Sequence, residues 1–536
     1  MYYNYYQTNQ YEYDECITKG ICSINPTLSS LQEVILLSLK ELAFYLLKLK
    51  ALGVSNEQIK EAFIDALSSI VTNAEYSQEQ FNTIMSTLHD ELNQAKLLYM
   101  NLCEKNNLDF QTVKTYFKQH KNFDITNAIK KGEKFFLKKN VIFTTEQKNL
   151  FDIMLFLVKS VCIKILELKS LDKDYEDAYY AMLSMLSTMN FNDFSGERAK
   201  KEIEEFVNVY YELIKRVYYT HIELYGEMGQ VEVSFSSRPG KALMVSGSDL
   251  KELEIILETT AGRGIDVYTH GTEMLMAHTF PKFRTYPHLI GHFGTGMDNC
   301  LIDFATFPGA ILMTKHSLQK IEYLYRGRLF TTDLIAPKGV IKLTKNDFEP
   351  LIQSTLSAKG FSKGQQRPPL KVGFNEVEVL KKVNEVLDKV ETGEIKHIYI
   401  IGLMNYANEH KAYFDKFFDL VPKNCFIFSL SQDKSGDNIF HQDSFFEYSL
   451  IYKIFKEMKK RKPLNEIKMS IFLTKCDKHT IANVLQLKNS GIKNVYMCKC
   501  SPALVNPALI DSLKNLFGVK QFFNPEEDIQ RTLAED

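Results

Sequence analysis

The spacing of apolar residues changes once along the chain, at Arg238-Pro239-Gly240. Between about Ser30 and Gly226 apolar residues recur at helical spacing, which is typical of antiparallel helix bundles. After the change, short apolar runs alternate with helical segments, which predicts parallel sheets with crossover helices. A Pro/Gly/Ser-rich segment at 357–369 interrupts this alternation, which then starts again. The predicted fold class is therefore α plus α/β, with an N-terminal helical bundle domain at 1–235 and two doubly wound parallel-sheet (Rossmann-like) domains at 236–370 and 371–536.

Four short patterns predict helix starts in the first part of the chain. Each has a hydroxyl residue followed three positions later by Glu or Gln, so that each side chain can bond the backbone N–H of the other. The patterns are Ser30-x-x-Glu33, Ser55-x-x-Gln58, Ser77-x-x-Gln80 and Thr144-x-x-Gln147. A last long amphipathic helix is predicted over 196–225.

The short apolar runs after residue 240 predict the strands of two sheets. The predicted strands are 242–245, 265–269 and 310–314 in the first sheet, and 397–401, 425–430, 469–474 and 494–497 in the second. Ligands of doubly wound sheets gather beyond the carboxyl ends of the strands. We therefore expect an active site, if the protein has one, among the residues that directly follow these strands.

Composition excludes several classes of function. The 65 basic and 66 acidic residues among 536 give a net charge of −1, so we expect no nucleic-acid partner. Charged residues interrupt the longest apolar stretch, 150–168, which predicts a buried bundle helix and no membrane partner. The nine cysteines are scattered and the first residues do not resemble a secretory signal, so we expect a cytoplasmic protein with reduced thiols.

Five of the twelve histidines lie between positions 270 and 316. They share this segment with Glu273, Asp298, Cys300 and Asp303, and such a mixture of imidazole, carboxylate and thiolate can hold a transition metal. The alternative is that each histidine simply satisfies buried backbone groups or lies in solvent. The five are His270, His278, His288, His292 and His316.

Six short segments after residue 240 form a recognisable series: GKALMVSG at 240–247, VYTHGTEMLMAH at 267–278, YPHLIG at 286–291, FATFPG at 304–309, FTT at 330–332 and GIKN at 491–494. Together they resemble the hybrid cluster (prismane) proteins, also called hydroxylamine reductases. The resemblance implies a relation to carbon monoxide dehydrogenases, with a helical domain followed by two doubly wound α/β domains. It also implies two iron–sulfur sites, which can be compared with this sequence position by position.

The resemblance implies that a histidine, two glutamates and four cysteines hold the family's hybrid cluster. The histidine corresponds to His270, although Thr272 interrupts the motif, and the glutamates correspond to Asp303 and Asp477. Because iron–sulfur clusters are held mainly by thiolates, we do not expect this chain to hold an intact hybrid cluster. The four cysteine positions are occupied by Ser317, Met404, Gln432 and Ser444 or a neighbour, and a nearby lysine of the family corresponds to His479.

The family's N-terminal cubane is also incomplete. Cys16 and Cys22 match two of its four cysteines, whereas Tyr3 and Tyr6 occupy the other two positions. Two cysteines cannot close a cubane within one chain, so the alternatives are two free thiols or a 4Fe–4S cluster shared across a homodimer. Six of the first thirteen residues are tyrosines, and this Tyr-rich N-terminus can stack on a protein partner.

Three functions are left open by the sequence. The first is a non-catalytic descendant of the family that has lost the hybrid cluster. The second is an oxidoreductase with a repurposed site for a mononuclear or dinuclear metal. The third is the family's own activity, an iron–sulfur oxidoreductase that acts on hydroxylamine, nitric oxide or peroxide. The residues predicted for the repurposed metal site are His270, Asp303, Asp477, His316, His479 and Cys476.

Overall fold

A computed structural model gives the fold of the chain. It describes residues 26–71, 78–113, 123–190, 196–294, 300–315, 324–344, 347–402, 408–430, 436–442, 449–473, 479–497 and 507–534. A helical part comes first and two sheets of parallel strands follow, which confirms the predicted fold class.

The helical part packs its helices around two long central ones, α1 and α5. Helix α1 contacts α3, α4 and α6, whereas α5 contacts α6 and α7. The helices are α1 (Pro26–Ala51), α2 (Glu57–Ser68), α3 (Gln78–Lys105), α4 (Ile125–Ile142), α5 (Thr145–Ser170), α6 (Glu176–Thr188) and α7 (Gly196–Tyr225).

The predicted helix starts agree with the structure in part. Thr144 caps α5 through the predicted reciprocal bonds with Gln147, and α7 has its predicted bounds. The prediction at Ser30 is wrong, because α1 already begins at Pro26, a residue that fits a first helical turn. The prediction at Ser55 is also wrong: Asn56 caps α2 by accepting a bond from the N–H of Ile59. Ser77 lies outside the described residues.

Helix α5 contains the longest apolar stretch of the sequence and is a bundle helix, as predicted. Its buried face includes Leu150, Met154 and Ile165. Among the described residues, no helix combines the length and the apolar character needed to span a bilayer.

The first sheet is parallel throughout and has the strand order β4-β3-β2-β5-β6-β7. If the six strands are numbered from 1 in the order of the chain, starting at β2, their order across the sheet is 3-2-1-4-5-6. This is the doubly wound arrangement, and the order reverses between β2 and β5. The elements of this part are β1 (Val231–Val233), β2 (Lys241–Ser246), α8 (Leu250–Thr260), β3 (Ile265–His270), α9 (Thr272–Met276), β4 (Leu289–His292), α10 (Cys300–Thr306), β5 (Ala310–Met313), β6 (Leu329–Thr331), β7 (Ile341–Lys342) and α11 (Glu349–Ser357).

The second sheet has the equivalent order, β11-β10-β9-β12-β13-β14, and is also parallel. Its elements are β8 (Leu370–Val372), α12 (Glu376–Glu391), β9 (His397–Ile401), α13 (Asn408–Leu420), β10 (Cys425–Ser429), β11 (Ile439–His441), α14 (Ser449–Met458), β12 (Met469–Leu473), α15 (Thr480–Asn489), β13 (Asn494–Met497), α16 (Pro507–Phe517), β14 (Lys520–Gln521) and α17 (Pro525–Ala534).

Every predicted strand is present, and each observed end lies within one residue of its prediction. The strands that the sequence did not predict contain only two to four residues, for example β7 and β14. Strands β1 and β8 pair with each other in an antiparallel ribbon, and they lie beside the domain boundaries proposed near 236 and 370.

Alternate residues of the central strands face two different cores. In β2, Met244 belongs to the large core that also contains the helical bundle, whereas Leu243 and Val245 pack in a second core with α8 and α11. Burial on both faces explains why these strands have continuous apolar sequences. Because side chains alternate along a strand, Ser246 and His270 lie on the face that Met244 and Tyr268 turn toward the bundle.

We predict that Gly132→Ala destabilises the protein. A Cβ at Gly132 in α4 would lie only 2.8 Å from the carbonyl carbon of Ser30 in α1, and backbone cannot move aside as a side-chain tip can. The clash should outweigh the gain of about 1 kcal/mol in helix propensity. We expect urea denaturation to show a net loss of about 1–3 kcal/mol in unfolding free energy.

Gly229→Ala is the matched control, because a Cβ at Gly229 meets no atom within 4 Å. Equal stability of the two variants would contradict the close approach of α1 and α4.

Candidate functional site

The candidate site lies at the carboxyl end of the first sheet, beside the point where the strand order reverses. Ser246 ends β2 and His270 ends β3, and the parallel register places these two residues side by side. Asp303 comes from α10, which precedes β5. The fold therefore brings together three residues that are far apart in the sequence.

The imidazole of His270 contacts a polar group at each of its nitrogens. Its Nδ1 lies 2.9 Å from Oγ of Ser246, and its Nε2 lies 3.3 Å from Oδ2 of Asp303. His270 and Ser246 are fully buried, and Asp303 is nearly so. The ring of Phe304 stands edge-on to the imidazole, with 5.0 Å between centroids.

One tautomer of His270 satisfies these contacts. A neutral imidazole has one N–H donor and one acceptor nitrogen. If Nε2–H donates to the carboxylate of Asp303, Nδ1 can accept the hydroxyl hydrogen of Ser246. Both ring nitrogens are then hydrogen-bonded within the protein.

Gly294 packs against Asp303, and Arg328 binds the end of the helix that carries it. Gly294 has φ of +86°, and a Cβ there would lie 2.5 Å from Cγ of Asp303, so only glycine fits against this carboxylate. Arg328 donates to carbonyls at the end of α10 and beyond it, at 2.6 Å to Phe307 and 2.8 Å to Gly309. A cation at the carboxyl end of a helix also interacts favourably with the helix dipole.

Two more histidines contact the hydroxyl of Thr269, the residue before His270. Oγ1 of Thr269 lies 2.9 Å from Nε2 of His278 and 2.9 Å from Nδ1 of His292. Burial, together with the charge of Arg284, lowers the pKa of His278 to about 4. Burial and the neighbouring His270 and His278 hold the pKa of His292 well below its ordinary value. Both imidazoles are therefore neutral at physiological pH.

The other predicted site residues are not brought to this position, or lie outside the described residues. His288, just before β4, packs against α8, and its Nε2 lies 3.0 Å from the carbonyl oxygen of Leu257. His479 precedes α15 and stacks on Tyr210 of α7, with 6.3 Å between ring centroids. The predicted residues outside the described ranges are His316, Cys476, Asp477, Cys16 and Cys22.

The described residues do not by themselves provide a ligand set for the hybrid cluster implied by the resemblance. Within the described ranges, no three His, Cys, Asp or Glu side chains are grouped as a metal site requires. Cys103 and Cys162 lie in the bundle, and Cys425 begins β10, at the opposite end of the strand from a ligand site. Cys300 is on α10, three residues before Asp303. The positions that the resemblance assigns to the family's four cysteines carry Ser, Met and Gln residues in this sequence and lie outside the described residues.

The sequence could not single out Ser246, Gly294 or Arg328. Ser246 lies within a segment that resembles the family, but its contact with His270 depends on the register of β2 and β3. Gly294 contributes by leaving room for the carboxylate of Asp303, and Arg328 contributes by bonding backbone carbonyls. Neither role produces a recognisable sequence motif.

Comparison with solved structures defines the class of fold. A structure of acetyl-CoA synthase/carbon monoxide dehydrogenase superposes with a TM-score of 0.51 at 10% identity, covering 96% of this chain and 83% of that chain. At this level of identity the likeness establishes the fold alone.

Sequence comparison then gives the family. The model of the Prismane/CO dehydrogenase family matches residues 9–431, and the chain belongs to this family. A Syntrophobacter fumaroxidans protein named hydroxylamine reductase is 27% identical over 99% of both chains. A Methanocella arvoryzae protein of the same name is 27% identical over 97% of both chains. The resemblance to the hybrid cluster proteins is thereby confirmed.

We predict that His278 makes stability depend on pH in the acidic range. The unfolded chain takes up a proton near the ordinary pKa of 6.5, whereas folded His278 resists protonation until about 4. Its stabilising contribution is therefore complete above pH 6.5 and is lost as the pH falls toward 4, by on the order of 3 kcal/mol. Urea denaturation across this range should show a smaller fall for His278→Gln than for the wild type. An unchanged pH slope in that variant would contradict the assignment, and His288→Gln serves as the control.

Proposed function

We propose that this chain is a member of the Prismane/CO dehydrogenase family that has lost the hybrid cluster and does not reduce hydroxylamine. The observation that carries the proposal is that both ring nitrogens of His270 contact polar groups of the protein. Its two nitrogens contact Ser246 and Asp303, so its hydrogen-bonding capacity is used within the protein. Such an imidazole needs no metal to satisfy it.

The chemistry of the remaining donors supports the same conclusion. Where the resemblance places the family's thiolates, this sequence has hydroxyl, thioether and amide groups, from Ser317, Met404, Gln432 and Ser444 or a neighbour. These neutral groups do not offset ferric charge as thiolates do. Asp303 and Asp477 keep the carboxylate charge but are one methylene shorter than glutamate, so they reach less far.

A specific distance favours a second candidate, a metal site that uses His270 and Asp303. The separation of 3.3 Å between Nε2 and Oδ2 exceeds the roughly 2.7–2.9 Å of a charge-assisted hydrogen bond. Two ligands of one tetrahedral zinc ion, each about 2.1 Å from it, are about 3.4 Å apart. In this alternative, Nδ1–H of His270 donates to Ser246 and Nε2 is free to bind the metal.

The relatives named hydroxylamine reductase supply the third alternative. Their likeness covers nearly the whole chain, and it supports the family's reductive chemistry as far as overall sequence can. Reduction at an iron–sulfur cluster in the position of the hybrid cluster would require thiolates from positions that the family does not use there.

Anaerobic purification, with iron, other metals and acid-labile sulfide measured on the same sample, separates these functions. We expect neither iron nor sulfide, a visible spectrum without absorption bands, and no hydroxylamine reduction with a chemical electron donor. Exposure to ferrous iron and sulfide under reducing conditions should leave the spectrum unchanged.

Two other outcomes would overturn the proposal. Metal without sulfide, lost in His270→Ala and retained in His288→Ala, would establish the repurposed metal site. Iron and sulfide in similar amounts would establish an iron–sulfur protein. In that case, loss of the cluster in Cys16→Ser together with a homodimer in solution would assign it to a cubane shared between two chains.

A further inference from the structure

Glu252 is a buried carboxylate at the point where the strand order of the first sheet reverses. It lies in the first turn of α8, the helix that follows β2, and its side chain is 3% exposed. The groups around it come from the chain after β5 and after β6. Three segments that leave the sheet at different strands therefore meet at this carboxylate.

Donors from two of these segments satisfy the carboxylate. The hydroxyl of Thr332, just after β6, donates to Oε1 at 2.6 Å. Lys315, just after β5, contributes Nζ at 3.1 Å from Oε1 and its backbone N–H at 3.3 Å from Oε2. A buried carboxylate is tolerated only with such partners, and it fixes their relative positions in return.

A chain of contacts leads from Glu252 to the candidate site. Thr314 precedes Lys315, and its backbone N–H donates to the carbonyl of Ser246 at 2.9 Å. The hydroxyl of Thr314 also accepts from the backbone N–H groups of Ser248 and Asp249, at 3.0 and 3.3 Å. Ser246 is the residue whose hydroxyl contacts His270. Glu252 therefore fixes Lys315, and the preceding residue, Thr314, in turn bonds the backbone of Ser246.

Further charged groups lie near Glu252. Asp249 at the start of α8 and Asp333 after β6 are carboxylates, and Lys315 interacts with both of them as well as with Glu252. Burial, and then the charge of Asp249, raises the pKa of Glu252 to about 7 against the opposing effect of Lys315. Burial alone would lower the pKa of Lys315, but the carboxylates outweigh it and raise that pKa above its ordinary value.

We propose that Glu252 is a positioning residue of the candidate site: through Lys315, Thr314 and Ser246 it sets the hydrogen bond at Nδ1 of His270. Glu252 does not contact His270, so its effect is transmitted through the backbone of the segments it joins. This role goes beyond the proposed function and is independent of whether the chain holds a metal.

Nitrogen-15 NMR of labelled histidine tests the proposal in the full-length protein, with His270→Gln to assign the signal. We expect the Nδ1 resonance of His270 to shift in Glu252→Ala and to return close to its wild-type position in Glu252→Gln, which keeps the hydrogen-bonding shape. In the wild type the resonance should change with a midpoint near pH 7, the pKa of Glu252, and this step should be absent in Glu252→Gln. Glu258→Gln, an exposed residue of the same helix, is the control and should behave as the wild type.

The proposal fails if folded Glu252→Ala leaves the His270 resonance unchanged, or if Glu252→Gln keeps the same pH step. If Glu252→Ala does not fold, the loss or persistence of the pH step in Glu252→Gln still tests the proposal. A double variant checks the route: in a Ser246→Ala background, Glu252→Ala should cause no further change at His270. A full additional shift there would exclude Ser246 as the connecting residue.

Discussion

The parallel pairing of β2 with β3 is the constraint on which the candidate site depends. Its register places Ser246 beside His270 at the ends of two neighbouring strands. A slip of one residue in either strand would turn that strand's polar side chain to the opposite face of the sheet, into the core formed with α8 and α11, and away from its partner. The apolar residues of β2 and β3 are buried on both faces, so the packing of each face resists such a slip. The polar contacts at the strand ends follow from apolar packing along the strands.

Buried polar groups at this end of the sheet are satisfied by different means. His278 and His292 are neutral and share the hydroxyl of Thr269, so no charge has to be compensated there. Glu252 is a carboxylate that receives donors from the chain after β5 and after β6, and the carboxylate of Asp303 contacts His270 at the end of β3. Burying a charge costs far more than burying a neutral imidazole, and each carboxylate therefore needs a more extensive set of partners. These partners tie together strand ends that the sheet alone would leave independent.

Much of the fold could be predicted because the decisive signals are local. The change at Arg238-Pro239-Gly240, the apolar runs of the central strands and the bounds of α7 can all be read from the sequence. The start of α1 and the cap of α2 could not, since Pro26 and Asn56 compete locally with Ser30 and Ser55 for the same roles. The shortest strands escaped prediction because a few residues carry no periodicity.

The candidate site could be predicted only where a residue type matched a family position. His270 and Asp303 were predicted together, and they lie in contact. Gly294, Arg328 and Glu252 contribute through close approach, carbonyl contacts and burial, all of which depend on the three-dimensional arrangement. His479 was predicted from its position in the family, but it stacks on a bundle helix, a contact that requires knowledge of how α7 packs against α15.

A single continuous apolar core joins the helical bundle to one face of each sheet. Most of the hydrophobic free energy of folding therefore arises from side chains remote from the strand ends. The stability of the scaffold therefore depends little on which polar residues follow the strands. A shared architecture alone does not establish which chemistry those residues perform.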